Sequence, residues 1–396
     1  MAMFIVKPWY RKKDDAIYGA EWAGGSDPSW VRTDAAVGFS NPNPYYSGMS
    51  TTPSSPFDNI MPWAGMRRVT DSNAGELVEI PKFYYKWTRD GVKMKLQISM
   101  YKHDGFLTSP AHADRGDGVG ERDYVYVGRY QCANTNYKSL SGVNPKGAIT
   151  RATGRTNIHN LGNNIWQWDF STLFTIQMLY LVEYATWDCQ RAISYGCYSN
   201  SSTGTSVVAC GGTDNMPYHT GTMAPSRTTY TDYMQYRYIE GLWSNSESFV
   251  DGMTTGTYGM GYNSSTQGGF YLITNPSQFT DNNAVGEYIG ITAPQSTAAH
   301  TNVTANIKSY LDTNKGLIPK EAVTDDNYAT YGCANVRVAG GTSFPKHGHV
   351  LIVGGGTSQW LGGGLFSWGA DVPYEGWTYN TVGCRLMVLP PSRLSA

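Results

Sequence analysis

Charge is scarce in this 396-residue chain. Asp, Glu, Lys and Arg make up 15% of it, and the formal net charge is -1, against a usual charged share of ~25%. No basic block is longer than Arg11-Lys12-Lys13, so the electrostatic footprint that nucleic acid demands is missing. Cysteine is sparse too. Cys132, Cys189, Cys197, Cys210, Cys333 and Cys384 contain no Cys-x-x-Cys pair to seat zinc. They are too few for a disulfide scaffold in a chain this long, so buried, reduced thiols are expected. No apolar run reaches the ~18 residues of a membrane span, and the run at residues 1–10 is too short for a secretory leader. Without a leader, the glycosylation-pattern triplets at Asn200, Asn263 and Asn302 read as chance.

The usual signatures of chemistry are missing as well. The glycine run at 354–364 lacks the Gly-Lys-Ser/Thr ending of a phosphate-binding loop. No Gly-x-Ser-x-Gly elbow seats a serine nucleophile, and no stretch argues for a glycosidase carboxylate pair. Of seven histidines only His347 and His349 lie close together, and no third ligand adjoins them. Neither a metal nor a cofactor is expected. Glu183 lies in the most apolar part of a helical pattern and reads as a structural group bonded to loop backbone rather than an acid of raised pKa. Arg115-Gly116-Asp117 reads as a solvated turn rather than an adhesion motif.

Aromatics and glycine are plentiful: 29 Tyr, 12 Trp and 45 Gly. That composition predicts a loop-rich α+β chain of short antiparallel strands. Residues 1–70 read as a small N-terminal β unit, with strands at 17–22 and 30–33 and a linker-like passage from 41 to 56. Residues 71–396 read as a second, ligand-binding domain. Its expected strands are 77–87, 93–100 after an Asp90-Gly91 hairpin turn, 124–130, 270–273 and 288–291. One clear helix is expected over 169–192, with one apolar face, a cap at Asp169 or Ser171 and an end at Gly196. Residues 292–332 read as loop with at most a short helix at 307–311.

At the C-terminus, Val336-Arg337-Val338, Val350-Leu351-Ile352-Val353 and Val382-Gly383-Cys384-Arg385-Leu386-Met387-Val388 are strand-like and bracket aromatic, glycine-rich loops. Loops on a rigid frame are where binding residues collect, so 336–390 reads as a recognition surface. Its candidate contacts are Ser358, Gln359, Trp360, Leu361, Phe366, Ser367, Trp368, Asp371, Tyr374, Trp377, Tyr379 and Asn380.

Three ordered segments resemble formylglycine-generating-enzyme-like domains. They are Val182-Glu183-Tyr184-Ala185, Glu240-Gly241-Leu242-Trp243-Ser244-Asn245 with Asp251-Gly252, and Val336 to Phe344 with Gly383-Cys384-Arg385-Leu386. The resemblance implies a C-type lectin fold over roughly 75–396. That enzyme's cysteine pair has no counterpart in 342–350, so the likeness implies the fold without the activity. Pro56-Phe57-Asp58, Pro62-Trp63-Ala64-Gly65-Met66, the stretch from Ile80 to Trp87 and Ser109-Pro110-Ala111-His112 resemble segments of prophage tail proteins, some of them variable proteins of diversity-generating retroelements. In that family a retroelement rewrites adenines in codons near the 3′ end, and the altered side chains bind a host surface. The likeness implies a tail-tip receptor-binding protein of the virion, made in the bacterial cytoplasm. Its partners would be a bacterial surface protein or glycan and other tail proteins, with no membrane insertion and no nucleic acid. A homo-oligomer is expected, with a trimer the closed state by family analogy. Trp360, Trp368 and Trp377 are not products of adenine mutation at asparagine codons and would be fixed framework or fixed contacts. Ser358, Leu361, Phe366, Ser367, Asp371, Tyr374, Tyr379 and Asn380 would be varied positions. The alternatives are an enzyme on the same fold, hydrolysing or oxidising a glycan, and a structural tail component with these aromatics at an oligomer interface.

Overall fold

A computed structural model describes residues 15–394, except 25–26, 28, 198–206, 229–232, 256–267, 282–286, 292–300, 304–309, 314–315, 320–335, 339–348, 355–362 and 374–377. It is mostly antiparallel sheet with three helices among the described residues: α1 (Arg151–His159), α2 (Phe170–Tyr184) and the single turn α3 (Cys189–Ala192).

The centre is α2. Fifteen residues start on Asp169, whose carboxylate accepts from the Thr172 N–H at 2.9 Å. This is the side-chain cap that short acidic residues provide. The helix ends at Ala185 in the left-handed region (φ 51°), closed by the Ala185 N–H on Leu181 O, not at Gly196. Every one of the fifteen is buried, so the expected single apolar face is wrong. A helix buried on all sides must satisfy its polar residues internally.

One five-stranded sheet packs on α2. Its order is Val31–Asp34, Ile17–Trp22, Lys93–Ser99, Tyr84–Asp90, Leu107–Thr108, all antiparallel. Alternate residues point inward, as the two-residue strand period dictates: Met94, Leu96 and Ile98 from one strand, Tyr85 and Trp87 from its neighbour. Tyr85 meets Phe174 edge-on at 5.9 Å. Asp90 pairs with Lys93 across Gly91-Val92, and Gly91 takes φ 60°, the positive value that a two-residue hairpin turn needs at its first position. Ile17–Trp22 pairs over six positions with Lys93–Ser99, so pairing runs across the boundary expected near residue 70.

A second antiparallel sheet has the order Arg67–Asp71, Gly75–Pro81, Tyr124–Gly128, Leu386–Val388, Ile165–Gln167. The run 77–87, expected as one strand, is therefore two. It breaks at Pro81-Lys82-Phe83, where proline lacks the donor to continue the ladder, and its halves belong to different sheets. Helix α1, mostly polar with Ile158 its one large apolar residue, went unforeseen; Thr150 caps it. Of 292–332, expected as loop with a short helix at 307–311, the described residues form the strands Thr301–Val303, Tyr310–Thr313 and Gly316–Pro319; the rest, 307–309 included, lies outside the described residues.

The third and largest sheet has the order Glu287–Ile291, Gly268–Leu272, Glu247–Thr255, His349–Val353, Trp368–Pro373, Val336–Val338, Thr301–Val303, with Val382–Cys384 pairing parallel to Glu247–Thr255. Between Val382–Cys384 in this sheet and Leu386–Val388 in the second lies Arg385. Its guanidinium is fully buried and donates to the carbonyls of Gly128 (2.6 Å), Arg129 (3.1 Å), Glu240 (2.6 Å) and Gly241 (2.8 Å). One side chain thus joins the chain's end to two earlier loops.

Candidate functional site

The C-terminal strands form a frame. His349–Val353 and Trp368–Pro373 run antiparallel, and Val336–Val338 joins the latter in parallel. Val350, Leu351, Ile352 and Val353 are buried, and so are residues 363–367, the described part of the connection that leads into Trp368–Pro373.

The structure separates the expected contacts. Ser358, Gln359, Trp360, Leu361, Tyr374 and Trp377 lie outside the described residues. Trp368 and Asp371 sit in the strand Trp368–Pro373. Tyr379 and Asn380 are exposed, Tyr379 at 55%. Their backbone is pinned: Ala148 N–H donates to Tyr379 O at 2.9 Å, and a Cβ on Gly147 would lie 2.1 Å from Asn380 O. Phe366 is corrected. It is 1% exposed and meets Trp187 edge-on at 4.9 Å, which makes it core. Ser367 is buried as well, with its N–H on Gly364 O and its own carbonyl accepting from Gly354 N–H. Their small-residue setting, Gly-Gly-Gly-Leu-Phe-Ser, suggested a loop; the apolar pair Leu365-Phe366 was the signal for burial.

Glu183 is structural, but side chains hold it rather than loop backbone. Arg237 donates to both carboxylate oxygens (2.6 and 3.1 Å), Tyr236 Oη to Oε2 (2.9 Å) and Ser55 Oγ to Oε1 (2.7 Å). Arg237 also reaches Asp58 at 3.3 Å, and Asp58 accepts from Tyr218 Oη at 2.7 Å. Burial opposes ionisation of Asp58, but its bonds from His219, Tyr218 and the Ser55 N–H outweigh it and hold the carboxyl at about 2. Arg115 of the Arg-Gly-Asp triplet is not solvated. It is 2% exposed, ion-paired with Asp169 and bonded to Thr274 O at 2.6 Å, so it cannot serve adhesion.

Among the described residues no group of three His, Cys, Asp or Glu could hold a metal ion; His347 lies outside them. The described cysteines, Cys132, Cys189, Cys197, Cys210 and Cys384, are free and buried. Burial first, and then each other's proximity, pushes the Cys132 thiol far up beside Cys384. Such thiols are poor nucleophiles.

Two clefts that the sequence did not reveal flank the loop 114–122. One, of about 320 Å³, is mostly apolar and lies against Tyr85, Leu107, Pro110, Arg115, Glu121 and Leu272. The other, of about 400 Å³, is mostly polar and is lined by Asp117, Arg122, Asn163, Asn164, Trp166 and Asn275. The segment after Gly268–Leu272 lines both, with Thr274 in the first and Asn275 and Ser277 in the second, and is tied to the loop by Asn275 Nδ2 donating to Gly116 O at 2.8 Å.

No family model matches the chain, and no curated protein matches it.

Proposed function

We propose that the protein is a phage or prophage tail-tip receptor-binding protein whose C-terminal face, on a C-type lectin fold of the formylglycine-generating-enzyme-like kind, binds a bacterial surface ligand by contact alone. The observation that carries this reading is the pairing of His349–Val353 with Trp368–Pro373 over a buried base, with Tyr379 and Asn380 exposed just before Val382–Cys384, which lies on the other edge of Glu247–Thr255. A sheet frame whose connecting sequence is rich in aromatics and glycine suits recognition, because aromatic plates give contact area at low entropic cost. Tyr379, Trp360, Trp368 and Trp377 supply plates; Ser358, Gln359, Asp371 and Asn380 supply orienting hydrogen bonds. Copies of the chain in a closed homo-oligomer, a trimer on this reading, raise the avidity of a weak single face through effective concentration.

Two measurements test it. The nucleotide sequence downstream is expected to carry a near-copy of the gene's last stretch, differing chiefly at adenines and followed by a reverse transcriptase. Without one, the face is fixed rather than diversified. Fluorescently tagged protein is expected to label cells of a bacterial panel selectively. Absence of labelling across hosts, or a monodisperse monomer in light scattering at micromolar concentration, would overturn the receptor-binding and oligomer parts respectively.

A further inference from the structure

The polar cleft beside the loop 114–122 has the make-up of a ligand site, and it shares none of the candidate contacts of the C-terminal face; of the segment 336–390 only Leu389 lines it. Its volume, about 400 Å³, falls within the ~300–1,000 Å³ of small-molecule sites. Trp166 lines it, half-buried. His159 stacks on that indole, ring centres 3.9 Å apart and planes 18° apart, which fixes the plane of the ring. Asn163 and Asn164, both exposed, bring amides to the same rim. Asn275 is held in place: its amide nitrogen donates to Gly116 O, and its oxygen accepts from the Ser277 N–H (3.0 Å) and Oγ (2.8 Å).

The charge balance decides the ligand class. Only Asp117 and Arg122 among the lining residues are charged, and they pair at 2.6 Å. Burial opposes ionisation of Asp117, but the bonds from Arg122 and the Val119 N–H outweigh it and hold its carboxyl below the ordinary range. The pair therefore stays ionised and leaves the cleft without net charge. Their charges offset each other, so the lining offers no net attraction to a ligand of either sign. Arg122 is only 5% exposed, and its buried Nε and Nη1 have no partner within the fold. An amide offers donor and acceptor together, which matches hydroxyl groups that are also both. An indole matches the C–H face of a ring. Those requirements meet in a neutral pyranose.

We propose that this cleft, formed by Trp166, Asn163, Asn164 and the Asp117–Arg122 pair, binds a neutral pyranose unit of a glycan. It is a second recognition site, independent of the C-terminal face.

The test uses the full chain and saturation-transfer NMR with glucose, galactose and N-acetylglucosamine as probes, alongside N-acetylneuraminic and glucuronic acids. Saturation transfer to at least one neutral sugar is expected. Trp166→Ala and Asn163→Ala are each expected to weaken binding about tenfold, worth about 1.4 kcal/mol, and Tyr379→Ala to leave it unchanged. Asn163 is exposed and outside both hydrophobic clusters, so its variant stays folded even if Trp166→Ala does not; circular dichroism checks both. The proposal is overturned if no neutral sugar binds, if only the acids bind, or if Asn163→Ala binds as the parent does. Loss of sugar binding in Tyr379→Ala alone would move the sugar to the C-terminal face and remove this cleft from consideration.

Discussion

Arg237 holds Glu183 from 54 residues away in sequence, Nη2 to Oε1 at 2.6 Å and Nε to Oε2 at 3.1 Å, with both side chains at least 97% buried. The pair ties α2 to the turn between Met234–Tyr236 and Ile239–Glu240, and Ser55 adds the earlier loop. Removing one partner of a buried pair strands the other charge, which costs about 3–5 kcal/mol. Arg237→Met is therefore expected to lower unfolding stability by that amount in urea titration. Adding Glu183→Gln is expected to recover part of the loss, because the stranded charge goes with it. Equal or greater loss in the double variant would contradict this account.

His112 predicts an acid-sensitive window. The ring is fully buried, with Nε2 against Ile80 O at 2.9 Å and Nδ1 against Ser109 Oγ at 2.6 Å. Burial is the main cause that lowers its pKa to about 4 from an ordinary 6.5. Between those values the unfolded chain takes up a proton that the folded chain refuses, so stability rises with pH and falls as pH drops from 6.5 towards 4. At 1.36 kcal/mol per unit the loss is roughly 3 kcal/mol. His219, lowered first by burial although its bond to Asp58 opposes this, adds in the same direction. His112→Gln is expected to flatten the stability–pH curve over that window, measured by urea unfolding at successive pH values.

Phe366 and Tyr379 are expected to part company. Phe366→Ala removes a ring packed on Trp187 and Tyr180 and is expected to cost about 3–5 kcal/mol. Tyr379→Ala, at an exposed position, is expected to stay within about 0.5 kcal/mol of the parent while weakening labelling of bacterial cells. Thermal melts and cell binding, read together on both variants, check the pair. A Tyr379→Ala protein that labels cells as the parent does would remove that side chain from the recognition face.

Thiol titration gives a count. Five of the six cysteines are buried and free in the described residues, and Cys333 lies outside them. A thiol-reactive dye is expected to modify at most one cysteine per chain quickly in native buffer and all six in denaturant. Two or more fast thiols would show that the core around Cys132 and Cys384 opens readily.

Local rules made much of this chain legible. The strands at 17–22, 93–99, 124–128 and 350–353 show alternation or short apolar runs that need no tertiary information. The cap of α2 at Asp169 follows from one side chain's reach to a backbone N–H two or three residues on. Low charge and the absence of motif chemistry likewise come from counting.

What the fold alone decided depends on partners far away in the chain. The helix over 151–159 carries too few apolar residues to announce itself; it is held by Arg151 and Arg155 on Asp251 and Asp281, about a hundred residues downstream. The split of 77–87 between two sheets depends on which strands were available to pair with each half. The exit of α2 at Ala185 rather than Gly196 follows from packing that pays for a left-handed alanine. The apolar pair Leu365-Phe366 hints at burial in the sequence, but its glycine-rich setting points the other way, and Trp187 and Tyr180 packed on the ring settle the matter. The polar cleft brings together residues near 117, 164 and 275. No periodicity links positions so far apart, because side-chain recognition sites are set by where sheets and loops meet in space and not by spacing along the backbone.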